Sequence, residues 1–201
     1  MLKHRRSTIL NYFRPSIYLT NFEKLNIFAL KQQGFRVLYC DLDNTLVPHF
    51  SRKPTQNVIA FLKLLKSQKI AVWLVSNNST RRVSEFSEKL LNQELINGFI
   101  ANAKKPLINK IKKHMKQHHY APADIVFMGD QLITDILAAN RLGCKSILVS
   151  SLMDIVYESK LGNKRIRLFL ERFIYSRLEQ NNFLNIDVLN EDFIGGANEI
   201  L

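Results

Sequence analysis

Between Phe35 and Val149 the chain alternates short apolar runs with stretches whose apolar residues recur at helical spacing, and that rhythm admits few folds. The runs at 35–40, 70–75, 98–102, 125–128 and 146–149 read as buried strands. The stretches between them carry stripes such as Val83, Phe86, Leu90 and Leu91, or Leu107, Ile111 and Met115. Strand and helix in strict turn predict an α/β domain, a parallel sheet covered by helices with all the strands' carboxyl ends at one edge.

The first of these runs leads into LYCDLDNTLV at residues 38–47, which sets Asp41 at a strand's carboxyl end, where open α/β sheets bind ligands. Asp41 and Asp43 repel by about 4 kcal/mol at roughly 4 Å and an effective dielectric near 20, so a cation or positive side chains should lie between them. The spacing alone is weak. Turns and helix caps also use Asp, and some glycosyltransferases hold a metal-bound sugar nucleotide this way. The second strand ends in Ser76-Asn77-Asn78-Ser79-Thr80, donors at the start of a helix and suited to a phosphate. Lys104-Lys105-Pro106 follow the third strand, and Gly129-Asp130-Gln131-Leu132-Ile133-Thr134-Asp135 follow the fourth. Each cluster has an ordinary explanation: capping by Ser79 or Thr80, a solvated lysine, Asp135 or Thr134 at a helix start. Four of them at one edge of one sheet point to a site.

In that order, Asp-x-Asp-x-Thr, Ser, Lys and Gly-Asp-x(4)-Asp, the chain resembles the haloacid dehalogenase superfamily over about residues 35–150. The resemblance implies a Rossmann-like parallel sheet, Mg²⁺ and an aspartyl-phosphate intermediate. It makes Asp41 the nucleophile and Asp43 the general acid and base. Ser76, Asn77 and Lys105 become phosphate-binding, with Lys105 counted as catalytic as well. Mg²⁺ would lie between an Asp41 oxygen, the backbone carbonyl of Asp43 and Asp130, with Thr45 and Asp135 in support. The chemistry agrees, since phosphoryl transfer asks mainly for in-line placement and neutralised oxygens. A carboxylate of ordinary pKa near 3.9 needs no base before it attacks phosphorus. Asp43 favours phosphate chemistry over dehalogenation, which has no leaving oxygen to protonate.

The remaining segments read as appendages. Residues 1–34 form a basic and aromatic arm (Arg5, Arg6, Tyr12, Phe13, Arg14, Tyr18, Phe22) with no strand expected before Gly34 and one helix over 21–33, capped by Asn21. The catalytic domain spans 35–150, a basic amphipathic helical region 151–180, and a loose acidic tail 181–201. In the helical region Ile166, Phe169, Leu170, Phe173 and Ile174 share one face. The gaps at 48–68 and 81–100 are too short for an inserted domain, so the core should carry a minimal cap or none. An open site suits a large or surface-bound phosphomonoester. Cys40 and Cys144 read as small buried hydrophobes. No apolar run approaches the roughly 20 residues of a bilayer span, and the basic start Lys3-His4-Arg5-Arg6 leads into no signal-peptide stretch, so a cytoplasmic location is expected.

The net charge of +12 points to polyanions. Lys104, Lys105, Lys110, Lys112, Lys113 and Lys116, with His114, His118 and His119, gather without an acid among them. They read either as a solvated helix face or, with the aromatic arm, as a peripheral anchor on an anionic inner membrane face. DLDNTLVP, VSNN, AKKP, GDQLITD, the NRLG at 140–143 and the basic helix after Lys160 look like the YqeG-type branch, related to mitochondrial phosphatidylglycerophosphate phosphatases. That resemblance implies conversion of phosphatidylglycerophosphate to phosphatidylglycerol. Two other readings stand beside it: a soluble phosphatase of nucleotides, sugar phosphates or phosphoproteins, and a non-catalytic RNA- or ribosome-binding module.

Overall fold

The computed structural model describes residues 9–152, 164–181 and 183–184, with only the backbone described for 164–168. Its strands are β1 (Ile17–Leu19), β2 (Val37–Cys40), β3 (Ala71–Val75), β4 (Gly98–Ile100), β5 (Ile125–Gly129) and β6 (Lys145–Val149). They form one sheet in the order β1-β6-β5-β2-β3-β4, every pairing parallel. The central strand β2 is flanked by strands from both halves of the chain, the arrangement that opens a crevice at the carboxyl edge.

Side chains alternate across the sheet. Leu38 and Cys40 face a core completed by α1 (Ile27–Gln32), α2 (Gln56–Ser67) and α3 (Thr80–Asn92). Val37 and Tyr39 face the opposite core, shared with α4 (Asn109–Gln117) and α5 (Leu137–Leu142). The α/β sheet with helices on both faces is therefore as expected. Cys40 and Cys144 are free and buried.

Three expectations need correction. The arm contains a strand: β1 adds to the far edge of the sheet, with Ile17 paired to Ile147. Three residues are too few to display a period in sequence, and the partner lies at the other end of the domain. The helix expected over 21–33 is broken into a 3-10 turn (Phe22–Lys24), capped by Asn21, and α1, capped by Asn26, whose side chain accepts from Ala29 N. The stripe on α4 runs through Ile111 and Met115 but enters from Ile108, leaving Leu107 exposed.

The last described helix, α6 (Lys164–Gln180), packs on the carboxyl-edge side of the sheet. Leu178 is fully buried in a cluster with Leu132, Ile136 and Leu148, joined by Leu10, Phe13, Tyr18, Ile174 and Tyr175. Tyr175 donates to the Tyr18 hydroxyl at 3.0 Å, and Tyr18 meets Ser150 at 2.8 Å. Of the proposed apolar face, Ile174 is in the cluster, whereas Phe169, Leu170 and Phe173 are exposed; the side chain of Ile166 lies outside the described residues. The arm docks as well, since Asn140 donates to the carbonyls of Tyr12 and Arg14. Arg5, Arg6, Lys160 and the acidic tail beyond Leu184 lie outside the described residues. Among the described residues no helix is long and apolar enough to cross a membrane.

Candidate active site

Strand register builds the site. Cys40 pairs with Leu74 on one side and Met128 on the other, so the three strands end level and the residues that follow converge. Asp41 N donates to Met128 O at 2.8 Å, continuing the ladder one step past β2. The chain then turns on Asn44, whose φ of 67° is one that Asn tolerates, and closes as Asn44 N bonds Val47 O at 2.7 Å. This loop returns Thr45 over Asp41, its hydroxyl 3.2 Å from Asp41 Oδ2 and 3.5 Å from Asp130 Oδ1.

Lys105 is the electrostatic centre. Its ammonium donates to Asp41 Oδ1 and Val75 O and forms an ion pair with Asp135 Oδ1, each at 2.6 Å. Burial alone would lower its pKa, but Asp135 and Asp41 outweigh burial and hold the amine above its ordinary value. Asn77 fixes the loop that presents it, accepting from Lys105 N at 2.6 Å and donating to Lys105 O at 3.0 Å. The side chain expected among the phosphate contacts is thus spent on the backbone of Lys105. Ser76 is buried beside it, its hydroxyl accepting from Asn78 N at 3.1 Å.

Asp135 does more than support. It lies in a π-helical turn (Leu132–Ile136) that runs into α5, and such turns favour functional sites. Oxygens of Asp41, Asp130 and Asp135 lie within 4.8 Å of one another. Gly129 permits this, because a Cβ there would stand 2.3 Å from Asp135 Cγ. The turn has no capping side chain of its own; Glu171 from α6 supplies one, its carboxylate accepting from Leu132 N and, at 3.1 Å, from Ile133 N.

Three carboxylates around one ammonium leave a buried excess of negative charge. Burial pushes Asp41 up to about 7 against the opposing pull of Lys105, with Asp135 adding to the rise. Burial, then Asp41 and Asp135, raise Asp130 well above the carboxylate range. Sequence supplies only the reference pKa of Asp41, and in the metal-free fold burial raises it. Oxygen ligands in excess of local positive charge fit a hard divalent cation, and Asp41, Asp130 and Asp135 would hold it. The expectation for Asp43 concerned its backbone carbonyl. Its carboxylate stands apart from the triad, with Oδ1 2.7 Å from Arg82 Nη2 and Oδ2 2.6 Å from Asn78 Nδ2.

Of the basic residues expected at the mouth, Lys104 is exposed beside Lys105, and Lys110 donates to Ala101 O. Lys112, Lys113 and Lys116 are solvated along α4 as it runs back from the edge. His114 is a packing residue. Its ring stacks edge-on against Trp73 and meets the Tyr39 hydroxyl at 2.8 Å, and burial, with His118 nearby, lowers it to about 4.

A parallel α/β sheet with this acid-lined carboxyl edge and no inserted domain between β2 and β5, taken with the family match and the relative given next, marks a phosphatase of the haloacid dehalogenase superfamily. More narrowly, the chain belongs to the family described as mitochondrial PGP phosphatase, which matches residues 5–153. It is similar to the protein named "Probable phosphatase YqeG" of Bacillus subtilis (strain 168), 35% identical over 138 residues, 69% of this chain and 77% of that one. Among solved structures, an uncharacterized protein from Listeria monocytogenes serotype 4b shares the fold at a TM-score of 0.50. It is 17% identical and covers 64% of this chain and 85% of that chain. A haloacid dehalogenase-like hydrolase, SP0104 from Streptococcus pneumoniae, gives a TM-score of 0.49 at 13% identity, covering 63% of this chain and 91% of that one.

Proposed function

We propose that this phosphatase removes the terminal phosphate of phosphatidylglycerophosphate at the surface of an anionic membrane, with Mg²⁺ as its metal and Asp41 as the transiently phosphorylated residue. The observation that carries the lipid reading is where most of the exposed large hydrophobic residues fall, with Ile9, Tyr12 and Phe28 the exceptions among the described residues. Phe50 follows the Asp41 loop, Leu107 lies two residues past Lys105, and Leu152 bonds through its N–H to Asn44 O. Phe169, Leu170 and Phe173 flank Glu171, which is anchored two residues beyond Asp130. Apolar side chains around an uncapped site favour a substrate delivered from an apolar phase. Lys104, Lys53 and Arg172, exposed in the same segments, favour an anionic one. The aromatic arm contributes less than its sequence promises, because Phe13 and Tyr18 pack on the core.

Bound Mg²⁺ would ionise Asp41 and neutralise the oxygens of the phosphoryl group. The residues of the chain account for the steps. An Asp41 carboxylate oxygen attacks phosphorus as the bond to the glycerol oxygen breaks, and that oxygen leaves with a proton from Asp43. Asp43 then takes a proton from water, whose oxygen attacks the same phosphorus and returns Asp41 as a carboxylate. Lys105 and Thr45 hold the Asp41 carboxylate in one orientation throughout. The test is phosphate release from phosphatidylglycerophosphate vesicles with Mg²⁺, for the wild type and Asp41→Asn, against a panel of soluble phosphomonoesters. Faster turnover of the vesicle substrate, lost in Asp41→Asn, is expected; preference for the soluble panel would reject the lipid substrate.

A further inference from the structure

Both carboxylate oxygens of Asp43 are engaged. Arg82 and Asn78 each donate to one of them, which fixes the direction in which the group faces, and proton transfer to a leaving oxygen needs that group to come within about 2.6–3.2 Å of it. Arg82, in contrast, is poorly matched. Its Nη2 serves Asp43 and reaches His49 O only at 3.5 Å, while Nη1 is enclosed and has no acceptor. Guanidinium forks bind best when both arms meet a planar or tetrahedral anion, and this one is engaged at a single arm. Its side chain is 12% exposed and its partner's 11%, so the pair sits at the rim rather than in solvent. The neighbouring cations already have a partner, since Arg52 and Arg81 share Glu85. Arg82 stands in the first turn of α3, three residues after the Ser79 cap, where helix amides add to the pull on an anion.

We propose that Arg82 is a specificity-determining residue, reading a second anionic group on the leaving arm of the substrate and releasing Asp43 as it does so. Resting on the phosphatase reading above, this narrows the substrate to phosphomonoesters whose alcohol itself carries an anion, such as a phosphodiester. Once the guanidinium turns Nη1 out of its enclosed position, a tetrahedral anion offers Nη1 and Nη2 separate oxygens, which a single carboxylate oxygen cannot. Exchange of partners then leaves Asp43 held by Asn78 alone and able to turn toward the leaving oxygen. A phosphomonoester of a neutral alcohol brings nothing for Arg82, and Asp43 stays clasped.

The test uses the full chain with Mg²⁺ and two water-soluble substrates. One is a short-chain phosphatidylglycerophosphate held below its micelle concentration, and the other is glycerol 3-phosphate, whose leaving alcohol is neutral. The readout is the ratio of their kcat/KM values. Arg82→Ala is expected to lower that ratio by about 10–100-fold, the loss of a charged hydrogen-bonding partner, with Arg82→Lys recovering part of it. A ratio unchanged in Arg82→Ala, both substrates falling together, would overturn the proposal and leave Arg82 a structural prop. Arg82→Gln, which keeps size and loses charge, gives the same comparison should the alanine variant fail to fold. Calorimetric binding of glycerophosphoglycerol, the diester without a monoester, to Asp41→Asn protein separates the two readings. Affinity lost on adding Arg82→Ala supports the recognition role even if the wild type cleaves neither substrate. Equal affinity with and without Arg82 overturns that role even where both substrates are cleaved.

Discussion

Lys105→Met removes the one ammonium set among Asp41, Asp135 and the Val75 carbonyl while keeping most of the side-chain volume. Deleting one partner of a buried ion pair costs about 3–5 kcal/mol, because the remaining charge stays desolvated. In a protein of this length each kcal/mol moves the midpoint by roughly 2–4 °C, so the metal-free variant should melt roughly 6–20 °C below wild type. Two signatures separate this cause from a simple packing loss. With Lys105 gone nothing opposes burial at Asp41, whose pKa climbs beyond about 7, so the deficit should be largest at pH 8 and shrink toward pH 5 as the carboxylates take up protons. A divalent cation should also restore more stability to the variant than to wild type, since it meets a larger negative charge; at a hundredfold excess over Kd, binding alone adds about 2.7 kcal/mol. Calorimetric melts in EDTA and in Mg²⁺ at both pH values measure all three quantities. A deficit independent of pH, with a Mg²⁺ shift no larger than that of wild type, would refute Lys105 as the counter-charge of this cluster.

The wild type has its own pH signature. Asp41 is raised from near 4 to about 7, so the folded chain keeps a proton the unfolded chain has lost; metal-free stability should fall as pH rises from about 4 through 7, with the raised Asp130 adding to the fall in the same direction and Mg²⁺ flattening the slope in paired melts. Gly129→Ala forces Asp135 aside and should reduce turnover of a soluble phosphomonoester by about 10²-fold, together with a weaker Mg²⁺-induced melting shift; undiminished turnover would show that the close approach is not required. Asp43→Asn should lose about 10²–10⁴ in single-turnover rate while that Mg²⁺ shift persists, because its carboxylate stands outside the triad.

The central strands were readable because a parallel strand buried on both faces must be apolar throughout, as Val37 to Cys40 is. The residues that gather at the edge, Asp41, Ser76, Lys105 and Asp130, were readable because strand ends in such a sheet are level. What escaped depends on three-dimensional register. Arg81 and Arg82 are indistinguishable in sequence, yet one is solvated with Glu85 and the other half-buried against Asp43. Gly129 looks like punctuation until Asp135 is seen where its Cβ would be. The stripe on α6 shows that a face is apolar but not which part is covered, and the covered part proved to be Ile174 and Leu178 rather than Phe169 and Phe173. Glu171 carries no motif at all, since its partners are backbone amides.

The pairing of β1 with β6 has a consequence for biosynthesis. Ser16 and Ser146, which join the two strands, are separated by 130 positions, a distance a ribosome covers in roughly 6–26 s at 5–20 residues per second. Until residue 149 clears the exit tunnel, the first strand has no strand to pair with, and until α6 follows, Tyr18 lacks its Tyr175 partner. An early strand thus waits for the far end of the domain, and the nascent chain must carry it unpaired while the centre of the sheet forms.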